Sequence, residues 1–376
     1  MKKVFIQTGF EYAMKLSIIV PTYNEKDNIP VLVKELDAAL HDIDFELIIV
    51  DDDSPDRTWE VAENLASTHP FVRVIRRRNE RDLSTAVLTG FERSTGEVLA
   101  VMDADLQHPP EKVSAMFKRI RNGADVVVGS RYVEGGEIEE WSVIRKLYSK
   151  GATLLAHIFV PKSRVTKDPL SGFFMIKKTV VDDVELTPTG YKILLEILAK
   201  GKINKAEEEP IIFRKRERGK SSLGVGVFVK YIRHLLHLSW ETGEIRRMAQ
   251  FAAVGVSGVL VNLGILWALT DYAGIYYLLS AVASIEASIV SNFVLNDLWT
   301  FRDRKESGVT QWMKRLGKFN LISLPAFPMQ LVVMGILKEF FGMYYLLAAL
   351  MGILVVFIWN FVANSLWTWR EMNLKT

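Results

Sequence analysis

The chain has no cysteine, which excludes disulfides, thiol catalysis and cysteine-ligated zinc and leaves a reducing cytosol permitted. Its charge is nearly balanced, a formal +3 over 376 residues, with no lysine- or arginine-rich arm, so nucleic acid is not an expected partner. Neither Gly-x-x-x-x-Gly-Lys-Ser/Thr nor Gly-x-Gly-x-x-Gly follows the first predicted strand, which disfavours a P-loop NTPase and a dinucleotide enzyme. The first thirteen residues lack the apolar core of a signal peptide, and with Met14-Lys15 as a second plausible start, residues 1–14 read as a tail or added extension. Long apolar runs are missing from residue 15 to about 230, yet four of them fill 250–369, and they account for a hydrophobic content of 49%. A soluble domain attached to a membrane domain is expected.

The most informative feature present is Asp103-Ala104-Asp105, directly after the apolar run Val98 to Met102. That run reads as a buried strand, and open α/β sheets bind ligands at the C-terminal ends of their strands. Two aspartates one residue apart on a turning chain can aim oxygen at one hard divalent cation, with Gln107 as a neutral third donor.

The same pattern of strand, acidic tip and helix appears earlier. Leu16 to Val20 reads as a strand stopped by Pro21, with a helix from Ile29 to about Leu40. A strand from Phe45 to Val50 ends in Asp51-Asp-Asp-Ser54, with a helix from Trp59 to Ala66. Val72 to Ile75 and Asp125 to Gly129 are further strands, and Ser84 to Arg93 a further helix. Alternation of this kind predicts a mostly parallel sheet with helices on both faces. It sets Tyr23, Glu25, Asp52 and Asp103 on one rim, where carboxylates and backbone can read a nucleoside while a metal neutralises a diphosphate. Basic candidates for phosphate are Arg131, Arg145 with Lys146 and Ser149 beside it, and the run Arg214 to Lys220.

Six ordered motifs, Val20-Pro-Thr-Tyr-Asn-Glu25, Asp51-Asp-Asp-Ser54, Met102-Asp-Ala-Asp-Leu-Gln-His-Pro-Pro110, Gly129-Ser-Arg-Tyr132, Asp168-Pro-Leu-Ser-Gly-Phe-Phe174 and Gly190-Tyr-Lys-Ile-Leu-Leu-Glu196, cover residues 15–225. They resemble family 2 glycosyltransferases of the GT-A fold, and within them the polyprenyl-phosphate mannose or glucose synthases, dolichol-phosphate mannose synthases above all. The resemblance implies a Rossmann-like α/β GT-A domain and inverting transfer from a nucleotide sugar to a lipid phosphate. It assigns Pro21, Tyr23, Glu25, Val50 and Asp52 to the nucleoside pocket, and Asp103, Asp105 and Gln107 to Mg²⁺ or Mn²⁺. It assigns Arg131, Arg145 and Ser149 to the acceptor phosphate, and Arg216 and Lys220 to a loop closing over the donor diphosphate. Asp168 and Glu196 would orient the sugar or support that loop. A phosphate monoester is already anionic, so no catalytic histidine is required, and His108 is expected to be structural.

In the second half, apolar spans are expected at Phe251 to Thr270, Tyr276 to Leu295, Phe319 to Leu337 and Tyr344 to Leu366, each about long enough to cross a bilayer. Glu286 is the sole acid within them. Asn292-Phe-Val-Leu-Asn-Asp-Leu-Trp-Thr-Phe-Arg302 recurs 68 residues later as Asn360-Phe-Val-Ala-Asn-Ser-Leu-Trp-Thr-Trp-Arg370, as do Arg247 at Arg315 and Phe251 at Phe319. The half is therefore two copies of one helical hairpin, and it resembles the four-span membrane proteins of the GtrA type. Arginines and lysines gather before span one, between spans two and three and after span four, which sets the enzyme and the C-terminus in the cytosol. The expected division is 15–228 enzyme, 229–248 interfacial or linker helices around Tyr231 to Trp240, and 249–376 membrane domain.

The leading expectation is transfer of mannose from GDP-mannose to dolichyl or another polyprenyl phosphate at a bilayer, in an oligomeric state the sequence does not specify. A UDP-glucose donor and a lipid-linked-sugar flippase are the alternatives. A polysaccharide synthase is weakened by the missing Gln-x-x-Arg-Trp motif.

Overall fold

A computed structural model describes residues 14–187, 192–215, 225–305 and 307–369. They form two compact units that divide between Thr242 and Gly243. The first opens with β1 (Leu16–Thr22), α1 (Ile29–Ala39), β2 (Phe45–Asp51), α2 (Thr58–Thr68), β3 (Val72–Arg76), α3 (Leu83–Arg93) and β4 (Val98–Val101). It continues with α4 (Lys112–Arg121), β5 (Val126–Ser130), the short β6 (Glu137–Ile138), α5 (Val143–Phe159) and β7 (Phe174–Lys177). It closes with α6 (Ile193–Lys200), β8 (Ala206–Pro210), β9 (Ile212–Phe213) and α7 (Val225–Glu241).

The main sheet runs β3-β2-β1-β4-β7-β5-β8, and β6 pairs with β9 in a small second sheet. All its pairings are parallel except those of β7, which lies antiparallel between β4 and β5. The sequence pattern gives the parallel strands but not this insertion. Pro21 does not stop β1 as expected; it stays in the ladder opposite Val50, and the strand runs on to Thr22. Side chains alternate across the sheet. Ile18, Val20, Leu47 and Ile49 pack under α1, α2 and α4, whereas Ile19, Ile48, Val50 and Leu99 pack under α3 and α6.

One buried polar knot ties β1, β2 and β3 to the chain before β4. Glu46 accepts from Ser17 Oγ (2.7 Å), Thr95 N (2.6 Å), Thr95 Oγ1 (2.8 Å) and Arg73 (2.6 Å). Burial raises this carboxyl, but the Ser17, Thr95 and Arg73 donors outweigh it and bring the group down to about 2. A depressed acid stabilises the fold above its unfolded value of 4.5 and loses that contribution as pH falls toward about 2, about 3 kcal/mol in all. The stability advantage of the wild type over Glu46→Gln should therefore shrink across this window in melts at stepped pH. A difference constant with pH would reject the linkage.

In the segment expected to be linker, α7 packs Leu235 and Leu238 against Ala156 of α5 and Leu195 of α6, and Tyr231 donates to the Ala152 carbonyl (2.6 Å). The expected 229–248 segment is thus divided, its larger part belonging to the first unit.

Among the described residues the second unit contains four stretches long and apolar enough to cross a membrane. They are α8 (Glu244–Trp267), α9 (Tyr277–Leu295), the pair α10 (Val309–Ser323) and α11 (Ala326–Glu339), and α12 (Tyr345–Ala363). The third, expected as one span, is broken at Pro325, which has no N–H to donate and so interrupts the helix. Tight packing within the first hairpin depends on Gly258, where a Cβ would come 2.4 Å from the Asn292 side chain. Each hairpin ends in a π-helical turn, Asn296–Thr300 and Asn364–Thr368, at equivalent places in the repeat. An aromatic cluster of Phe251, Phe293, Phe301, Phe319, Phe361 and Trp369 joins the copies, with Phe301 stacked on Trp369 at 4.4 Å. Glu286 of α9 accepts from Asn320 Nδ2 of α10 (3.0 Å), which links the two hairpins.

Candidate active site

Parallel strands deliver their C-terminal ends to one edge, and the chain leaving β1, β2 and β4 there carries the acidic motifs. The three consecutive aspartates after β2 do separate work. Asp51 accepts from Thr22 Oγ1 (2.9 Å), Ser54 N (2.8 Å) and Ser54 Oγ (2.6 Å), which fixes the turn. Asp52 pairs with buried Arg77 (2.6 Å) and accepts from Asp82 N (3.0 Å), while Asp53 pairs with Arg76 (2.5 Å).

Among the residues expected to line a nucleoside pocket, half-buried Tyr23 lies beneath the Arg81 guanidinium (3.7 Å), and Glu25 accepts from Asn28 Nδ2 (2.6 Å). Pro21 is half-buried at the strand end. Val50 does not fit the expected pocket: its side chain is fully covered in the core beneath α3. At that position only backbone faces the rim, and the alternation along β2 is the reason.

After β4 the chain folds into a closed turn. His108 Nδ1 accepts from Asp103 N (3.0 Å), Asp105 Oδ1 accepts from Gln107 N (3.1 Å), and Leu106 takes a left-handed backbone (φ 61°). His108 is buried and stacked on Phe173 (5.2 Å); burial pushes its imidazole below the usual range, and the neutral ring acts as a clamp. Asp105 is buried and Asp103 half-exposed. Gln107 donates its amide N–H to the Arg214 carbonyl (2.9 Å), and Arg214 N returns a bond to Gln107 O (3.0 Å). Among the described residues no group of three His, Cys, Asp or Glu could hold a metal; this turn carries two carboxylates and one carboxamide.

The antiparallel β7 joins this turn to the basic residues. Phe174 pairs with Val101 and Val128, near the C-terminal ends of β4 and β5, so the preceding loop Asp168 to Phe173 lies on the same rim. Gly172 leaves room there: a Cβ would stand 3.3 Å from both Asp103 Oδ2 and the His108 ring. At the other end of the loop, fully buried Asp168 takes Arg131 Nε and Nη2 in a two-pronged pair (2.7 Å each) and the Arg131 backbone N–H (3.1 Å). Asp168 thus fixes an arginine rather than touching the rim itself. Ser149 accepts from Tyr132 OH (2.8 Å), and Arg145 lies one helical turn before it on α5, over Trp141. Buried Glu196 accepts from Thr187 N (2.7 Å) and Lys200 (2.8 Å), which holds the chain before α6. Arg216 and Lys220 lie outside the described residues.

Lys192 was not singled out by motif reading, although it lies inside the last motif. Its ammonium donates to the Leu170 carbonyl (2.8 Å); burial, reinforced by Arg131 and opposed by Asp103 and Asp168, lowers it to about 8. No spacing rule brings position 192 to this rim, because the long connection from β7 to α6 decides it.

Residues 17–184 match the glycosyl transferase family 2, and residues 250–369 match the GtrA/DPMS transmembrane domain. A dolichol-phosphate mannosyltransferase of Pyrococcus furiosus is 47% identical over 357 residues, 95% of this chain and 99% of that one. The chain belongs to the dolichol-phosphate mannosyltransferase family. Another protein of that name, from Saccharomyces cerevisiae, is 37% identical over 60% of this chain and 87% of its own length. A solved glucosyl-3-phosphoglycerate synthase of Mycobacterium tuberculosis superposes with a TM-score of 0.47 at 16% identity, over 61% of this chain and 80% of that one. As a member of the dolichol-phosphate mannosyltransferase family the chain is a glycosyltransferase and an integral membrane protein.

Proposed function

We propose that this protein transfers mannose from GDP-mannose to the phosphate of dolichol or another polyprenol, with inversion at the anomeric carbon, at the cytosolic face of the membrane. The observation that carries the reading is one rim holding both an acidic turn, Asp103 to Gln107, and an arginine-serine group, Arg131, Arg145 and Ser149. The loop Asp168 to Gly172 touches both. The apolar side of α5, with Val143, Ile144, Leu147 and Tyr148 exposed beside Arg145 and Ser149, suits an acceptor that arrives in lipid. Arginines and lysines at the ends of the spans support the cytosolic orientation.

Asp103, Asp105 and Gln107 fit a hard divalent ion, Mg²⁺ or Mn²⁺: all are oxygen donors on one turn, and three ligands leave positions for water and phosphate oxygens. Such an ion, when bound, offsets the charge of the leaving diphosphate. Tyr23, Glu25 and the Asp52–Arg77 pair border the nucleoside, and Arg216 and Lys220 supply positive charge for its diphosphate. Arg214, bonded both ways to Gln107, anchors the start of that segment on the metal turn. Arg131 and Arg145 orient the acceptor phosphate, and Ser149, whose oxygen already accepts from Tyr132, has its own proton to donate to it. The phosphate oxygen attacks the anomeric carbon from the face opposite the departing GDP. The monoester is anionic near neutral pH, so alignment and charge stabilisation suffice and no strong base is required.

Purified protein incubated with short polyprenyl phosphate, Mn²⁺ and labelled GDP-mannose or UDP-glucose in parallel should place label in the lipid phase from GDP-mannose only. Label from UDP-glucose alone would reassign the donor, and label from neither would remove the transferase reading.

A further inference from the structure

Both acceptor-side arginines lie against one ring that no motif singled out. The guanidinium carbon of Arg145 is 4.2 Å from the centre of the Trp141 ring, and that of Arg131 is 5.4 Å from it. Asp168 already pairs with Arg131, and the indole face attracts Arg145 beside it without bringing a second carboxylate. A second carboxylate here would compete with the phosphate, whereas an aromatic ring holds a guanidinium by its face and takes up none of its N–H groups.

Trp141 is itself held in place. Phe213 meets it edge-on at 5.8 Å, and the same Phe213 ring lies 5.4 Å from Arg131 and 5.5 Å from His108, the clamp of the acidic turn. Phe213 is fixed by β9, which pairs with β6 just ahead of Trp141, and Glu139 N donates to the Phe213 carbonyl (3.1 Å). Glu140, directly before Trp141, adopts a left-handed backbone (φ 52°) and pairs with Lys215 (2.7 Å). The strand pairing, the turn and the edge contact together determine where the indole stands. A continuous run of rings, His108, Phe213 and Trp141, therefore connects the acidic turn to both arginines.

We infer that Trp141 is a positioning residue for the acceptor phosphate. Its ring holds Arg145 beside the Arg131 that Asp168 fixes, and so governs affinity for the lipid phosphate but not for the nucleotide sugar. The inference rests on the acceptor-site reading given above. Full-length protein in detergent would be titrated with a short polyprenyl phosphate in the absence of donor, as wild type, Trp141→Leu and Trp141→Phe. Steady-state KM would then be measured for each substrate in turn.

Trp141→Leu should weaken acceptor binding and raise acceptor KM about tenfold, while KM for GDP-mannose and kcat at saturating acceptor stay as in wild type. Trp141→Phe should recover most of the loss, and the melting temperature reports any damage to the fold. Unchanged acceptor binding in Trp141→Leu would overturn the inference alone, as would a fall in kcat with KM intact or an equal rise in both KM values. A wild type that does not bind the lipid phosphate would overturn the acceptor-site reading and this inference with it.

Discussion

Asp105→Ala is expected to lower kcat by about 10³-fold or more while the protein still folds, a loss of the size seen when a principal electrostatic stabiliser is removed. The carboxylate is buried beside Asp103 on a turn that His108 closes from within, so the turn has a support that does not involve Asp105. Within that turn Asp105 accepts from Gln107 N. Asp105→Asn separates the two effects, because the amide oxygen can keep accepting that bond while the charge is gone. Both variants should be inactive, both should melt near the wild type, and both should lose Mn²⁺ binding in a calorimetric titration without substrates. Full activity in either one, or Mn²⁺ bound as tightly as by wild type, would reject the metal assignment.

The turn also shows why part of the site could be read in advance and part could not. Asp103, Asp105 and Gln107 are neighbours in sequence, and a strand followed by a turn brings them together whatever the remainder of the chain does. Arg131 was readable as a basic residue after a strand, but its partner Asp168 was not, because the pair spans the reversal that inserts β7 against the direction of β4 and β5. Hydrophobic alternation gives a strand and its faces but carries no sign for its direction. The resemblance assigns Val50 to the nucleoside pocket, whereas alternation along β2 sends its side chain into the core. Trp141 lies in a two-strand corner held by residues more than seventy positions apart, and no local pattern marks it. In the membrane half the repeat was legible as text. The break at Pro325 was not, because an apolar run long enough to span looks the same straight or bent.

The repeat makes the second large prediction, because duplicated residues have diverged in how deeply they are committed. Arg247 and Arg315 occupy equivalent positions. Arg247 pairs with Glu244 and with exposed Asp303, so it has alternatives. Arg315 is buried and meets buried Asp297 (2.9 Å), whose Oδ1 also accepts from Trp369 Nε1 (2.9 Å). The position equivalent to Asp297 in the second hairpin is Ser365, so a carboxylate was gained or kept in one copy only. It ties the end of the first hairpin to the start and the finish of the second.

Asp297→Ala leaves a covered guanidinium without this carboxylate and an indole N–H without its acceptor, which costs about 3–5 kcal/mol. The membrane unit of Asp297→Ala should melt lower by about 10 °C in detergent. Trading the pair for apolar groups, Asp297→Leu with Arg315→Leu, should return much of that loss, since the charges are then removed together. Arg247→Leu, at the equivalent but wetter place, should cost less than Arg315→Leu. If the double replacement melts no higher than Asp297→Ala, the uncompensated-charge argument fails and the loss belongs to the Trp369 hydrogen bond. If Asp297→Ala melts with the wild type, the pair contributes nothing to joining the hairpins, and the aromatic cluster of Phe293, Phe301 and Trp369 and the Glu286–Asn320 bond hold them instead.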